Sequence, residues 1–207
     1  MSYLALVRHG ESEWNAKGLW TGWKDIPLTQ KGIEQAKTAG VSLKDIKFGL
    51  GFTSILSRVK QTMDEMKKVL NQQFPVVEDK ALNERNYGVY TGKNKWEIKK
   101  EVGEEEFLKI RRGWDHPIPE GECLKDVYQR AIPYYEKNIL PKLKEGKNVL
   151  VSASSNSLRA LVKYLENIPD DKISKLELAI GEVYLYTIGN NGKVVSKEIR
   201  ASGSGIP

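Results

Sequence analysis

The sequence predicts an α/β fold, a three-layer sandwich with a mainly parallel central sheet flanked by helices. Short apolar, β-branched runs alternate with longer segments of helical periodicity along most of the chain. The runs Leu4-Ala5-Leu6-Val7 and Val149-Leu150-Val151 are apolar throughout, as expected of strands covered on both faces. A chain of 207 residues with 40% hydrophobic and 29% charged residues is large enough to bury a substantial core in one domain.

Taken in order, the first apolar run reads as a strand ending at Arg8-His9-Gly10. Thr29 is placed to N-cap a helix carrying Ile33, Ala36 and Ala39, with Gly40 as its expected end. Phe48 to Thr53 reads as a second strand, and Met63, Met66 and Leu70 then recur at helical spacing. Residues 84–120 are more polar and irregular and are expected to form a cap over the strand ends. Leu124, Val127, Tyr128, Ala131, Ile132 and Tyr135 define a long amphipathic helix that Pro133 should kink or restart. After the strand at Val149–Val151, the stripe Leu158, Leu161, Val162 and Leu165 gives another helix. Val183–Ile188 and Val194–Ile199 flank Asn190-Asn191-Gly192 as a hairpin. Residues 1–200 thus read as a single domain, and residues 201–207, with little to bury, as a mobile tail.

Composition narrows the function. The formal net charge of +6 favours anionic partners, but the basic residues are interleaved with acids and no nucleic-acid-binding motif is present. No apolar run reaches the length of a membrane span, and the first residues lack the basic-then-apolar layout of an export signal. A single cysteine, Cys123, makes no internal disulfide, so a cytoplasmic protein is expected. The two histidines and one cysteine form no metal-ligand cluster, and no metal is expected.

The sharpest local signal is Arg8-His9-Gly10 at a strand end, where open α/β sheets place their ligands. Arg8 brings a planar fork of donors suited to phosphate, and Gly10 leaves room for an anion to approach the backbone. His9 brings an imidazole that is a nucleophile when neutral.

Leu6-Val7-Arg8-His9-Gly10-Glu11-Ser12-Glu13-Trp14-Asn15, with Thr21-Gly22-Trp23 and Leu28-Thr29-Gln30-Lys31-Gly32, resembles the cofactor-dependent phosphoglycerate mutases of the histidine phosphatase superfamily. The likeness continues through Thr53-Ser54-Ile55-Leu56-Ser57-Arg58, Leu82-Asn83-Glu84-Arg85-Asn86-Tyr87-Gly88, Thr91-Gly92-Lys93-Asn94-Lys95, Arg111-Arg112 and Asn156-Ser157-Leu158-Arg159. It implies a phosphoglycerate mutase-like fold and interconversion of 3- and 2-phosphoglycerate through a phosphohistidine at His9, primed by 2,3-bisphosphoglycerate. Glu84 would be the general acid/base. Arg8 and Arg58 would neutralise the phosphoryl oxygens, with Asn15 as a neutral donor. Tyr87, Lys95, Arg111 and Arg112 would hold the substrate's carboxylate and distal phosphate, and Thr21, Gly22, Ser155 and Asn156 would add hydroxyl and backbone contacts. The partners implied are small phosphorylated glycerates of glycolysis and gluconeogenesis; a homodimer is left open.

The chain departs from the family pattern Ala-His-Gly-Asn-Ser, reading Ala153-Ser154-Ser155-Asn156-Ser157 instead. A serine replaces the second active-site histidine, and losing one preorganised donor typically costs about 10²–10³ in rate. A weakened mutase is therefore expected; the alternatives are a catalytically impaired phospho-ligand-binding relative and a phosphatase of the same superfamily. His116 lies in a cap turn, Asp115-His116-Pro117, and Trp14 and Trp23 are expected to pack beside the site. The segment between Pro117 and Gly121 is short for the family, which implies a more open site.

Overall fold

The computed structural model describes residues 1–200; the expected tail, 201–207, lies outside the described residues. Six strands form one sheet: β1 (Ser2–Arg8), β2 (Leu50–Thr53), β3 (Val76–Glu78), β4 (Val149–Ala153), β5 (Val183–Ile188) and β6 (Val194–Arg200). Their spatial order is β3-β2-β4-β1-β5-β6. Strands β3, β2, β4 and β1 run parallel, and β5 and β6 add an antiparallel hairpin at the edge. The expected hairpin is present, with Gly192 of its turn at φ +83°.

Alternation along the strands builds the two outer layers. Leu4 and Leu6 of β1, with Val149 and Val151 of β4, face a core completed by helices α6 (Leu124–Tyr134) and α8 (Ser155–Glu166). Ala5 and Val7, with Leu150, face the opposite core, packed by α2 (Gln30–Val41) and α3 (Ser57–Leu70), which follow the single-turn α1 (Glu13–Ala16). Leu4 to Val7 are completely buried, which explains why β1 reads as continuous apolar sequence rather than alternation. Fully burying one such side chain contributes about 1.5–3 kcal/mol, so this strand is a firm base for the residues at its end.

Several elements differ from the sequence reading. Gly40 does not end α2, which runs on to Val41; a Cβ at Gly40 would stand 3.1 Å from Met66 Cα, so the glycine lets α2 and α3 pack closely. Strand β2 begins at Leu50, with Phe48 buried just before it. The three-residue β3 was not foreseen, because Val76-Val77-Glu78 is too short and too exposed for a periodicity signal. Pro133 does not restart the helix: the α-helical pattern of α6 gives way one residue later to a π-helical turn, Tyr135–Ile139, which leads into α7 (Leu140–Lys144).

The 84–120 segment is more regular than expected. It contains α4 (Lys95–Val102) and α5 (Glu104–Arg112), whose Ile98, Phe107 and Ile110 enclose a separate small core with Trp20, Tyr87 and Ile118. Trp20 lies 5.7 Å from Tyr87 and 5.9 Å from Phe107 between ring centroids. The charged outer faces of these helices hid their periodicity. Through this small core the segment is fastened beside the end of β1.

Candidate active site

His9 follows β1 directly, and its backbone N–H donates to Ala153 O at 3.1 Å, carrying the β1–β4 pairing one residue past the strand. This fixes His9 next to the start of α8. The following turn is locked by two glycines: a Cβ on Gly10 would fall 2.1 Å from Gly32 O, and one on Gly32 would fall 2.1 Å from Glu11 O. The first turn of α2 thus packs directly onto the His9 loop. Gly10 serves this backbone contact rather than the anion approach expected from sequence.

The His9 ring is buried, and its Nδ1 lies 2.7 Å from Gly10 O. A carbonyl only accepts, so Nδ1 carries the proton and Nε2 keeps the lone pair. Burial, followed by the positive charges of Arg58 and Arg8, holds the His9 pKa well below the ordinary histidine value. His9 is therefore neutral at physiological pH without a neighbouring base.

Arg58 is anchored through both terminal nitrogens, Nη2 to Gly22 O at 2.8 Å and Nη1 to Lys24 O at 2.9 Å. Gly22 takes φ +53°, a conformation open to glycine. Arg8 is tied by Nη1 to Leu178 O at 2.5 Å. Arg8 Nε, Arg58 Nε and Thr21 Oγ1 are buried without a hydrogen-bond partner. Unpartnered buried donors are costly in the free protein and suit an anionic ligand. Asn15 lines the same pocket, its Oδ1 accepting from Ser12 N at 3.2 Å.

Glu84 is nearly buried, and its Oε1 accepts from Arg85 N at 2.7 Å, Asn156 Nδ2 at 2.8 Å and Asn156 N at 3.3 Å. All three bonds fall on Oε1, so Oε2 is the oxygen available for proton exchange. Arg159 Nη1 donates to Asn156 Oδ1 at 2.9 Å, which sets the amide orientation and leaves its Nδ2 for Glu84 and for Tyr87 OH at 3.0 Å. The backbone beneath Glu84 is held as firmly. Arg130 donates to Ala81 O, Asn83 O and Glu84 O at 2.8, 3.0 and 3.0 Å, while both oxygens of Glu122 grip the same guanidinium. Ser157 Oγ also donates to Asn83 O. Trp23, half-exposed, donates its indole N–H to Glu84 O at 2.6 Å, so it fixes the acid's backbone rather than packing as expected.

All thirteen residues singled out from the sequence line one pocket: Arg8, His9, Asn15, Thr21, Gly22, Arg58, Glu84, Tyr87, Lys95, Arg111, Arg112, Ser155 and Asn156. Lys95 has its pKa pushed down to about 8, by burial first and then by Arg111 and Arg8. The N-terminus of α8 opens on the pocket at Ser155 and Asn156, where the helix dipole favours negative charge. Leu19, Trp20 and Glu177 complete the lining and were not anticipated. Trp20 and Leu19 gave no local signal, and Glu177 sits in an irregular stretch before β5. Arg130 and Glu122 were likewise missed, since a supporting ion pair has no sequence motif.

Ser154 is absent from that lining, and its Oγ is fully buried with no hydrogen-bond partner. His116 pairs with Glu106, Nε2 to Oε1 at 3.1 Å, away from the pocket. It supplies no replacement for the missing donor.

Residues 4–199 match the model of the histidine phosphatase superfamily, branch 1. A 2,3-bisphosphoglycerate-dependent phosphoglycerate mutase of Nitrobacter hamburgensis is 48% identical over 94% of this chain and 95% of its own. The enzyme of the same name from Bradyrhizobium diazoefficiens is 46% identical over the same shares. The chain belongs to the phosphoglycerate mutase family. The solved structure of YhfR from Bacillus stearothermophilus superposes with a TM-score of 0.82 at 26% identity, covering 94% of each chain. The family's phosphoglycerate mutase-like sandwich is the fold described above. Among the described residues no helix is long and apolar enough to cross a membrane, and no group of three or more His, Cys, Asp or Glu could hold a metal.

Proposed function

We propose that the protein interconverts 3-phosphoglycerate and 2-phosphoglycerate by way of a phosphohistidine at His9. The single observation that carries this reading is the His9 Nδ1–Gly10 carbonyl bond, which points a neutral Nε2 lone pair into a pocket shared with Glu84 and five cationic side chains. A lone phosphate-binding site has no need of a carboxylate beside its cations. A group-transfer site does.

A primed His9 gives its phosphoryl group to the 2-hydroxyl of 3-phosphoglycerate, and the 2,3-bisphosphoglycerate so formed returns its 3-phosphoryl group to His9, which leaves 2-phosphoglycerate and the primed enzyme. Each transfer exchanges a P–O bond for a P–N bond or the reverse. Glu84 Oε2 donates the proton to the leaving alkoxide and removes it from the attacking hydroxyl. Arg8 and Arg58 neutralise the equatorial phosphoryl oxygens, the electrostatic support on which phosphoryl transfer depends. Lys95, Arg111 and Arg112 hold the carboxylate and the second phosphate. The five cations and the unpartnered donors fit a polyanion such as 2,3-bisphosphoglycerate, which supplies the priming phosphoryl group.

Ser154 lowers the rate below that of a site with an imidazole there. Its hydroxyl is buried out of the pocket, so the site lacks one charge-assisted donor. A slower transfer leaves the phosphohistidine exposed to water for longer, and phosphatase activity accompanies mutase activity. A coupled assay of 3-phosphoglycerate conversion, with and without 2,3-bisphosphoglycerate, tests the reading. Primer-stimulated 2-phosphoglycerate in excess of inorganic phosphate is expected. Inorganic phosphate alone would establish a phosphatase, and neither product would establish a phospho-ligand-binding relative.

A further inference from the structure

Glu177 is, after Glu84, a second acid in a pocket rich in cations. It lies in the irregular segment between the 3-10 turn Ile173–Lys175 and β5, and it lines the cavity with Arg8, Arg111 and Arg112. Its Oε1 accepts from Arg112 Nη2 and stands 3.7 Å from Arg111 Nη2. Its neighbours are also engaged: Leu176 O accepts from Arg112 Nη1 at 3.4 Å, and Leu178 O from Arg8 Nη1 at 2.5 Å.

The backbone that carries the two arginines is held independently of Glu177. Arg85 Nη2 donates to Ile110 O at 2.8 Å and to Arg111 O at 3.2 Å, and Arg159 Nη2 donates to Arg112 O at 3.0 Å. Buried guanidinium groups thus hold the end of α5 from behind. In front, the Glu177 side chain is 42% exposed against 28% for Arg111 and 13% for Arg112. The carboxylate half of the pair is open to solvent, which limits what the pair contributes and lets another carboxylate take its place. The same guanidinium geometry that accepts Glu177 accepts a carboxylate of a ligand.

We infer that Glu177 is an internal competitor, a carboxylate seated on Arg111 and Arg112 where the ligand's own carboxylate binds, and that it sets the affinity for carboxylate-bearing phosphoesters. This rests on the proposed role of those arginines. A phosphoester that brings a carboxylate displaces Glu177; one without a carboxylate leaves it in place. Glu177 therefore determines specificity through the seat it vacates, without touching the phosphoryl group.

Equilibrium calorimetry on the unprimed protein tests this with 3-phosphoglycerate and with glycerol 3-phosphate, which lacks the carboxylate. Glu177→Gln should tighten 3-phosphoglycerate about two- to fivefold, the range for a partly exposed pair, and change glycerol 3-phosphate by less. Arg112→Gln should weaken 3-phosphoglycerate and abolish the gain from Glu177→Gln. Unchanged or weaker binding of 3-phosphoglycerate to Glu177→Gln would overturn the inference. So would equal tightening of both ligands, which would reduce Glu177 to a general negative charge. Unchanged binding to Arg112→Gln would instead overturn the proposed role of the arginines. Thermal unfolding of each variant confirms that the fold is retained.

Discussion

At the scale of single residues, the chemistry turns on charge states set by burial. His9 has a depressed pKa, caused first by desolvation and then by Arg58 and Arg8. In the unfolded chain the ring titrates near ~6.5. Between that value and the lower folded one the unfolded state binds more protons. The contribution of His9 to stability is therefore present above about pH 6.5 and lost as the pH falls through the folded value. The His9 Cε1 proton resonance of the ligand-free protein should keep its neutral position through pH 6.5; a midpoint at or above 6.5 would contradict the burial argument. Lys95 behaves oppositely with respect to function: its ammonium is lost above about pH 8. The affinity for phosphoglycerate should fall above that pH, and Lys95→Met should flatten the dependence. Ser154 offers the third test. If one missing donor is the whole defect, Ser154→His should raise the single-turnover rate of phosphoryl transfer about 10- to 1000-fold. The position is fully buried, so overpacking should also lower stability by about 1–3 kcal/mol. A rate gain that needs Ser155→Gly as well would locate part of the defect in backbone access; no gain in either variant would exclude the missing-donor account.

At the scale of elements, the site is assembled from loop ends that the secondary structure pins on several sides. The Arg130–Glu122 pair on α6 and the turn before it holds the carbonyls of Ala81, Asn83 and Glu84. Arg130→Met leaves Glu122 without its cation and takes one donor from each of those carbonyls, two of which keep Ser157 or Trp23 as a partner, a loss of about 1–3 kcal/mol. If Arg130 acts through Glu84, the fall in kcat caused by Arg130→Met should largely vanish in a Glu84→Gln background, because the two substitutions remove the same step. Full additivity would leave Arg130 a purely structural residue. This layer shows what the sequence could and could not disclose. The strand that delivers His9, the Thr29 cap and the α8 stripe were legible because each is a local pattern of spacing or chemistry. Helices α4 and α5 were not, because each buries only one or two side chains against Trp20 and its neighbours, too few for a periodic signal. The roles of Gly10 and Gly40 escaped for a related reason: each glycine answers a tertiary contact, with Gly32 and Met66, that no neighbouring residue announces. Arg130, Glu122 and Glu177 were hidden likewise, since each is an ordinary charge until the fold gives it a partner.

At the scale of the whole molecule, the parallel strands β1 and β4 end side by side, and the 84–120 segment closes over them from one side with its own small core. Residues far apart in sequence, from Arg8 to Glu177, thereby meet in one cationic pocket. His9 and the Ser155–Asn156 turn lie at the end of the sheet and on α8, and the side chains proposed to hold the substrate, Lys95, Arg111 and Arg112, lie on α4 and α5 beside the smaller core. The central claim is that His9 carries the phosphoryl group. Incubation with 2,3-bisphosphoglycerate labelled in its phosphates, followed by peptide mapping at alkaline pH, tests it most directly. The account predicts an acid-labile, alkali-stable phosphate on the peptide containing His9, discharged on addition of 3-phosphoglycerate and absent in His9→Asn. A label on another residue, or none while the protein still interconverts phosphoglycerates, would contradict it.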